Sequence, residues 1–389
     1  MKYTKLILPV IVISQFCCTS LWFAGNGVIN DLVDAFSLDG GAVGHLTSAV
    51  QFGFIFGTLL FAMLTISDRF PPSKVFLISA VLGSLFNLAV IWEANSLTSL
   101  LFLRFFTGFF LAGIYPVGMK IAADHYEKGL GKSLGFLVGA LVLGTAFPHL
   151  LKGISDTSLW KSVLISTSSL ALLGGLLMYA LVPDGPYRKA SQRTSLTAFF
   201  QVFQNKEFRS VALGYFGHMW ELYAFWVFVP IMLEKYSIIH TQVVFDVPIW
   251  SFLIIGIGGF GCIAAAYVAQ KAGTKRIAFI ALLLSFVCCL LAPFMFTIEL
   301  EFLFVGFLLF WGIVVIADSP LLSTLIAQSA PAEIKGTALT IVNCIGFAIT
   351  IISIQLISRM MEATNSNVIF TVLAIGPILG LIALRRRKQ

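Results

Sequence analysis

Charge is scarce in this chain. Lys, Arg, Asp and Glu make up 11% of its 389 residues, against about 25% in an ordinary soluble domain. Apolar residues make up 58%, and mean hydropathy is +0.95. A soluble fold cannot hide that much apolar surface, because surface-to-volume scaling forces many side chains into water. Soluble enzymes, nucleic-acid binders and disordered chains are therefore excluded. The signatures of catalysis and of cofactors are lacking as well. There is no P-loop, no nucleophile elbow and no metal-ligand spacing. The six cysteines (Cys17, Cys18, Cys262, Cys288, Cys289 and Cys344) all fall in apolar runs, with neither zinc nor secretory-disulfide spacing, and read as small packing residues. The glycine rows Gly135, Gly139, Gly144 and Gly256, Gly258, Gly259, Gly261 have no strand-to-helix context with a lysine, so they read as packing positions. The chain is not expected to be an enzyme, to hold a metal or to need a cofactor.

What is present is a series of long apolar segments. Crossing a hydrocarbon core of about 30 Å takes about 20 helical residues, and lipid offers no partner to an open strand edge. Twelve segments meet that length, at roughly 6–27, 46–67, 74–93, 97–123, 130–151, 159–182, 208–233, 247–269, 276–296, 301–328, 337–358 and 366–384. The start imitates a signal peptide, but its apolar run is too long and no cleavage site follows, so it reads as a retained first helix. Two connections are longer than the rest, 28–45 and 183–207. The second is polar, basic and rich in proline, with an amphipathic piece around Leu196–Phe203 suited to a membrane surface. It divides the chain into a six-helix bundle over 1–182, a linker over 183–207, and a second six-helix bundle with a basic tail over 208–389. The expected fold class is an all-α polytopic membrane protein.

Charge sidedness tests the count. With the N-terminus in the cytoplasm, twenty of the 25 Lys and Arg residues fall on the cytoplasmic loops and termini. Four (Lys152, Lys161, Lys235 and Arg359) fall on the other side, and Arg104 is left inside the membrane. That is a strong positive-inside bias. It places both termini in the cytoplasm and explains the formal charge of +7 without a nucleic-acid partner.

Ionisable groups at membrane depth are costly and are functional candidates by default. Three stand out: Arg104, Glu221 and Asp318. Glu221 sits in FGHMWELYAFW, with His218 one turn before it and Trp220, Tyr223 and Trp226 nearby. A titratable face next to an aromatic face suits a proton-binding carboxyl that His218 can share, or a pair that merely locks helices. Arg104 opens RFFTGFFLAGIYP. It needs a carboxylate, backbone carbonyls or an anionic substrate, so it reads equally as a substrate contact and as a cross-helix clamp. Asp318 precedes Pro320, which frees nearby carbonyls, and the pair marks a hinge, a cation-binding point or a structural feature. In the first segment Trp22 and Asn26, one turn apart, can line the pathway or satisfy neighbouring backbone.

Twelve segments, cytoplasmic termini and a long central loop resemble the major facilitator superfamily. That family's loop between spans two and three reads like G-x-L-a-D-r-x-G-r-k. Here TLLFAMLTISDRFPPSKV supplies Asp68, Arg69 and Lys74 but lacks both glycines. Arg104, Gly108 and Gly113 match the span-four pattern, PAEIKGTAL matches the pattern after span ten through Pro331, Glu333, Lys335 and Gly336, and QKAGTKR is similar to a worn copy of the second loop. The resemblance implies a parallel six-helix repeat, rocker-type alternating access with a site between the bundles, and Asp68, Arg69, Lys74, Glu333 and Lys335 at an inner gate. The late Pro148 departs from the span-five pattern of drug/proton antiporters.

The function expected from these readings is secondary active transport of a small polar or anionic solute across the bacterial inner membrane. Protons drive it, with Glu221, His218 and Asp318 carrying the coupling. Trp22, Asn26, Arg104, Trp220, Tyr223 and Trp226 shape the pathway. Alternatives are proton-antiport efflux of drugs or metabolites, and a non-transporting sensor or scaffold. Partners are the substrate and the lipid bilayer; the chain reads as a monomer. Green fluorescent protein fused after Gln389 is expected to fluoresce in bacterial cells, and alkaline phosphatase at the same point to stay inactive. The opposite pattern would overturn the orientation.

Overall fold

The computed structural model describes residues 4–39, 41–126, 130–155, 160–188, 202–331 and 335–385. Glu333, the side chain of Lys335 and residues 196–201 of the amphipathic piece lie outside the described residues. Every regular element among the described residues is helical. The chain divides into two compact units, Met1–Thr194 and Ser195–Gln389.

The first unit comprises α1 (Thr4–Thr19), α2 (Ile29–Phe36), α3 (Ala42–Met63), α4 (Ile66–Arg69), α5 (Pro72–Leu88), α6 (Leu97–Leu111), α7 (Tyr115–His125), α8 (Leu130–Ile154) and α9 (Trp160–Leu181). Within it α3 packs on α6, α5 on α9, and α1 on α8 and α9. The second unit comprises α10 (Lys206–Ile239), α11 (Val247–Gly256), α12 (Gly258–Ala272), α13 (Thr274–Met295), α14 (Glu301–Ala317), α15 (Ser319–Ser329), α16 (Lys335–Ala363), a 3-10 helix (Asn367–Ala374) and α17 (Ile375–Arg385). There α10 packs on α16 and α17, and α12 on α14.

Among the described residues, eleven helical stretches are long and apolar enough to cross a membrane, and the apolar helix Leu6–Thr19 is shorter than the rest. The expectation of one continuous first helix over 6–27 is therefore corrected. Regular helix stops at Thr19, and turns lead to a short 3-10 helix, Asn26–Val28. The local chemistry accounts for the break. The Thr19 hydroxyl donates to the Gln15 carbonyl at 2.8 Å and the Ser20 hydroxyl to the Cys17 carbonyl at 2.7 Å, so side chains compete with backbone for the same acceptors. Gly25 and Gly27 follow, and glycine disfavours helix. The connection expected over 28–45 carries α2. Its Asp31 meets Lys152 at the end of α8 at 2.7 Å, and its Leu32 enters a cluster with Val28, Leu46, Val90 and Leu100.

Other long stretches are interrupted too. Residues 112–114 separate α6 from α7, and Asp318 alone separates α14 from α15. Pro116 and Pro320 each fall in the first turn after the break, where a missing N–H costs nothing. At its other end α6 begins with a capping box: the Ser96 hydroxyl accepts from the Ser99 N–H, and the Ser99 hydroxyl accepts from the Ser96 N–H at 2.8 Å.

Lipid tails are as apolar as leucine, so these helices associate through close contact rather than through exclusion of water. Glycine makes the contact possible. A Cβ at Gly53 or Gly57 of α3 would strike the backbone of Phe105 or Phe109 in α6, and one at Gly108 would strike the Val50 carbonyl. Gly217 of α10 and Gly376 of α17 likewise face each other's carbonyls. Large apolar side chains on the outer faces, including Phe52, Phe102, Phe260, Phe294 and Phe302, are exposed, as a hydrocarbon solvent allows.

Gly108→Leu is expected to destabilise the protein by about 1–3 kcal/mol, the usual cost of overpacking. Gly131→Leu should be tolerated, because a side chain there meets open space. Thermal melting of the two purified variants tests this, and equal melting temperatures would overturn the close-packing account.

Candidate functional site

Helix α10 presents His218 and Glu221 one turn apart, and both side chains are buried, as is Asp318. A carboxyl taken out of water needs hydrogen-bond donors. Glu221 finds three, all on Oε1: the Ser285 hydroxyl at 2.5 Å, the Trp311 indole N–H at 2.6 Å and the Cys289 thiol at 3.3 Å. Ser285 and Cys289 stand one turn apart on α13, and Trp311 comes from α14. All three donors are neutral. The Glu221 carboxyl therefore has no cationic partner within its donor set.

The second titratable centre lies at the α14–α15 break. His218 Nδ1 is 2.8 Å from Asp318 Oδ1, an ion-pair distance. The ring N–H is not aligned for a hydrogen bond, and His218 Nε2 and Asp318 Oδ2 have no hydrogen-bond partner among the described residues. The structure thus groups Glu221, His218 and Asp318 within the second unit. The aromatic neighbours on α10 are divided. Tyr223 and Trp226 are buried, their ring centroids 5.2 Å apart, with Phe347 5.2 Å from Tyr223. Trp220 turns instead to α17's side of the unit, where its indole N–H donates to the Val372 carbonyl at 3.0 Å.

Arg104 is buried among acceptors of its own unit. Its Nη2 donates to the Trp22 carbonyl at 2.6 Å and the Leu21 carbonyl at 3.3 Å, and its Nη1 donates to Asn87 Oδ1 at 3.0 Å. The first two acceptors are carbonyls in the broken stretch after α1. Asn87 is tied in turn, its amide donating to Ser168 at 2.9 Å and Thr167 at 3.1 Å. The arrangement is that of a clamp joining the break in the first span to α5, α6 and α9. Close by, the Trp22 ring packs on Phe54 at 4.8 Å and Tyr115 at 6.5 Å, and the Asn26 amide donates to the Thr47 hydroxyl at 2.7 Å.

The short helix α4, between α3 and α5, carries Asp68. Its carboxylate meets Lys120 of α7 at 2.9 Å, and Lys120 reaches Asp124 at 3.8 Å. Arg188 donates to the Asp68 and Phe70 carbonyls at 3.2 and 3.0 Å and pairs with Asp184 at 2.7 Å. Arg69 and Lys74 are exposed and outside this network.

Sequence reasoning missed Ser285, Cys289 and Trp311 around Glu221, Asn87 beside Arg104, and Lys120 and Arg188 beside Asp68. Ser285 and Cys289 carry a faint signal, two small polar groups one turn apart in an apolar run. Trp311 carries none, since a tryptophan in such a run is indistinguishable from core.

The family profile described as Major Facilitator Superfamily matches residues 11–354. No curated protein sequence matches significantly. Three solved structures share the fold. A proton:xylose symporter, XylE, bound to 6-bromo-6-deoxy-D-glucose has a TM-score of 0.73 at 15% identity, covering 98% of this chain and 95% of that one. A variant of the nucleoside transporter NupG has a TM-score of 0.73 at 16% identity, with 98% of each chain covered. A bacterial homologue of the human lysosomal transporter Spinster, inward-facing and unoccupied, has a TM-score of 0.69 at 13% identity, covering 98% and 94%.

Lysine in place of Arg104 keeps the charge but cannot span all three acceptors. Arg104→Lys is expected to lower stability by about 1–3 kcal/mol, the cost of buried acceptors left unpaired. A melting temperature unchanged from the parent would overturn the clamp.

Proposed function

The chain belongs to the major facilitator superfamily, and we propose from that premise that it is a proton-coupled secondary transporter of a small polar solute, with Glu221 as the proton carrier. The coarse activity, movement of small solutes across a membrane by alternating access, follows from the family. The observation that carries the proton role is the Glu221 donor set: a buried carboxyl held only by the neutral donors Ser285, Trp311 and Cys289. A buried carboxylate without a cation is costly, and a proton is the simplest neutraliser. Protonation also changes what the group does to its surroundings. The ionised carboxylate draws donors from α13 and α14 towards α10, and the neutral acid holds them more weakly. Gain and loss of one proton thereby tightens or loosens the contacts of three helices. His218 and Asp318, buried at the break between α14 and α15, are a second place for that proton to rest.

The two six-helix halves read as parallel repeats. The break before Pro116 in the fourth long stretch has its counterpart in the break before Pro320 in the tenth, and both supply freed backbone at depth. The inner gate is assigned to the Asp68–Lys120–Asp124 contacts with Arg188, on the cytoplasmic side, with both termini on that side of a bacterial inner membrane. Arg104 is assigned to the architecture of the first unit. Solute uptake is the direction favoured here.

The test is substrate-dependent proton movement in proteoliposomes, with sugars, nucleosides, amino acids, small anions and common drugs as the panel. Glu221→Gln is expected to abolish proton movement while leaving solute exchange measurable. Solute exchange without proton movement in the parent protein would overturn the proton role and make the chain a facilitator.

A further inference from the structure

The first unit holds two buried side chains that none of the foregoing uses. Gln15 on α1 and Gln51 on α3 are both 0% exposed, and neither the oxygen nor the nitrogen of either amide has a hydrogen-bond partner among the described residues. One orphaned amide group at depth is unusual; two complete ones in one bundle call for a ligand or ordered water to satisfy them.

Both connect to one aromatic group through their helix neighbours. Gln51 lies one turn from Phe54, whose ring packs on Trp22 at 4.8 Å. Gln15 lies against Gly118, where an added Cβ would strike its Oε1. Gly118 is one turn from Tyr115, whose ring is 6.5 Å from Trp22. Among the described residues, the one charged group beside these rings is Arg104, whose Nη2 donates to the Trp22 carbonyl at 2.6 Å. Arg104 is the one buried arginine or lysine among the described residues, and backbone carbonyls and Asn87 accept from both of its terminal nitrogens.

From this juxtaposition we propose that Gln15 and Gln51 form the solute-recognition site of the first unit, and that the solute is a neutral polyhydroxylated molecule of the sugar or polyol class rather than an anion. An amide offers a donor and an acceptor together, and a hydroxyl answers both at once. An anion without a hydroxyl, such as nitrate or sulfate, has only acceptors and would leave both amide oxygens unsatisfied, and both terminal nitrogens of Arg104 already donate to protein acceptors. Aromatic faces complement the C–H faces of a sugar ring. The bare Gly118 keeps the space into which the Gln15 amide projects.

This inference rests on the transport reading, but its test does not use a proton gradient. The purified full chain is melted in detergent with D-glucose, D-ribose, myo-inositol or mannitol, and in parallel with nitrate, sulfate or acetate at matched ionic strength. At least one neutral compound is expected to raise the melting temperature and the anions are not. Gln15→Leu and Gln51→Leu should each weaken that binding about tenfold or more. Without ligand the two variants should melt at or above the parent's temperature, because the amides have no protein partner to lose. Stabilisation by an anion alone, no stabilisation by any of the neutral compounds, or melting of the unliganded leucine variants below the parent would overturn the proposal. The last outcome would make the amides structural, held by buried water. If Glu221 proves not to carry a proton, the binding result stands unaffected.

Discussion

A bilayer interior supplies no hydrogen bonds, and most of this structure answers that constraint. Each polar atom placed at depth must find a partner in the protein or be costly. The backbone answers with helix in every regular element among the described residues. Where helix fails, something else must take the carbonyls. The break after Thr19 leaves the Leu21 and Trp22 carbonyls to Arg104, and Asn87, Thr167 and Ser168 complete the set. Without that guanidinium the break would expose unsatisfied backbone, and without the break the guanidinium would lack acceptors. Each is explained by the other.

Seen this way, the polar groups at depth fall into two kinds. Arg104 with Asn87 and Asn26 with Thr47 are closed sets, in which the donors and acceptors are matched within one unit. Glu221 is matched in hydrogen bonds but not in charge, His218 and Asp318 are close but poorly aligned, and Gln15 and Gln51 are not matched at all. Closed sets hold a structure; open ones are where a proton or a solute gains free energy by arriving. Glycine contacts set the frame for both, since Gly53, Gly57 and Gly108 bring α3 and α6 to backbone contact and leave little freedom for the side chains placed around them.

Much of this was legible in the residues. The eleven long stretches answer to runs such as VFLISAVLGSLFNLAVIW, and Glu221, His218 and Asp318 stood out because ionisable groups are rare in apolar sequence. The first helix misled, because hydropathy measures burial and not hydrogen bonding: the run from Leu6 to Ala24 is uncharged and mostly apolar, yet it stops being helical at Thr19. Arg69 and Lys74 share a motif with Asp68, but Asp68 pairs with Lys120, about fifty residues along the chain. Lys120 carried only a topological meaning when counted as one charge among many.

The sequence alone determined what kind of solvent this chain is built for, that it holds many segments long enough to cross it, and which few ionisable side chains need a reason to be there. Those follow from composition and segment length, which every residue contributes to additively. The partners of those side chains were decided by the tertiary structure. Which carbonyls Arg104 would take, that Ser285 and Trp311 would meet on one Glu221 oxygen, and that Gln15 and Gln51 would find no partner among the described residues depend on the register and rotation of packed helices. Those are fixed by close contacts between residues far apart in the chain, and a hydrophobic run looks the same at every rotation.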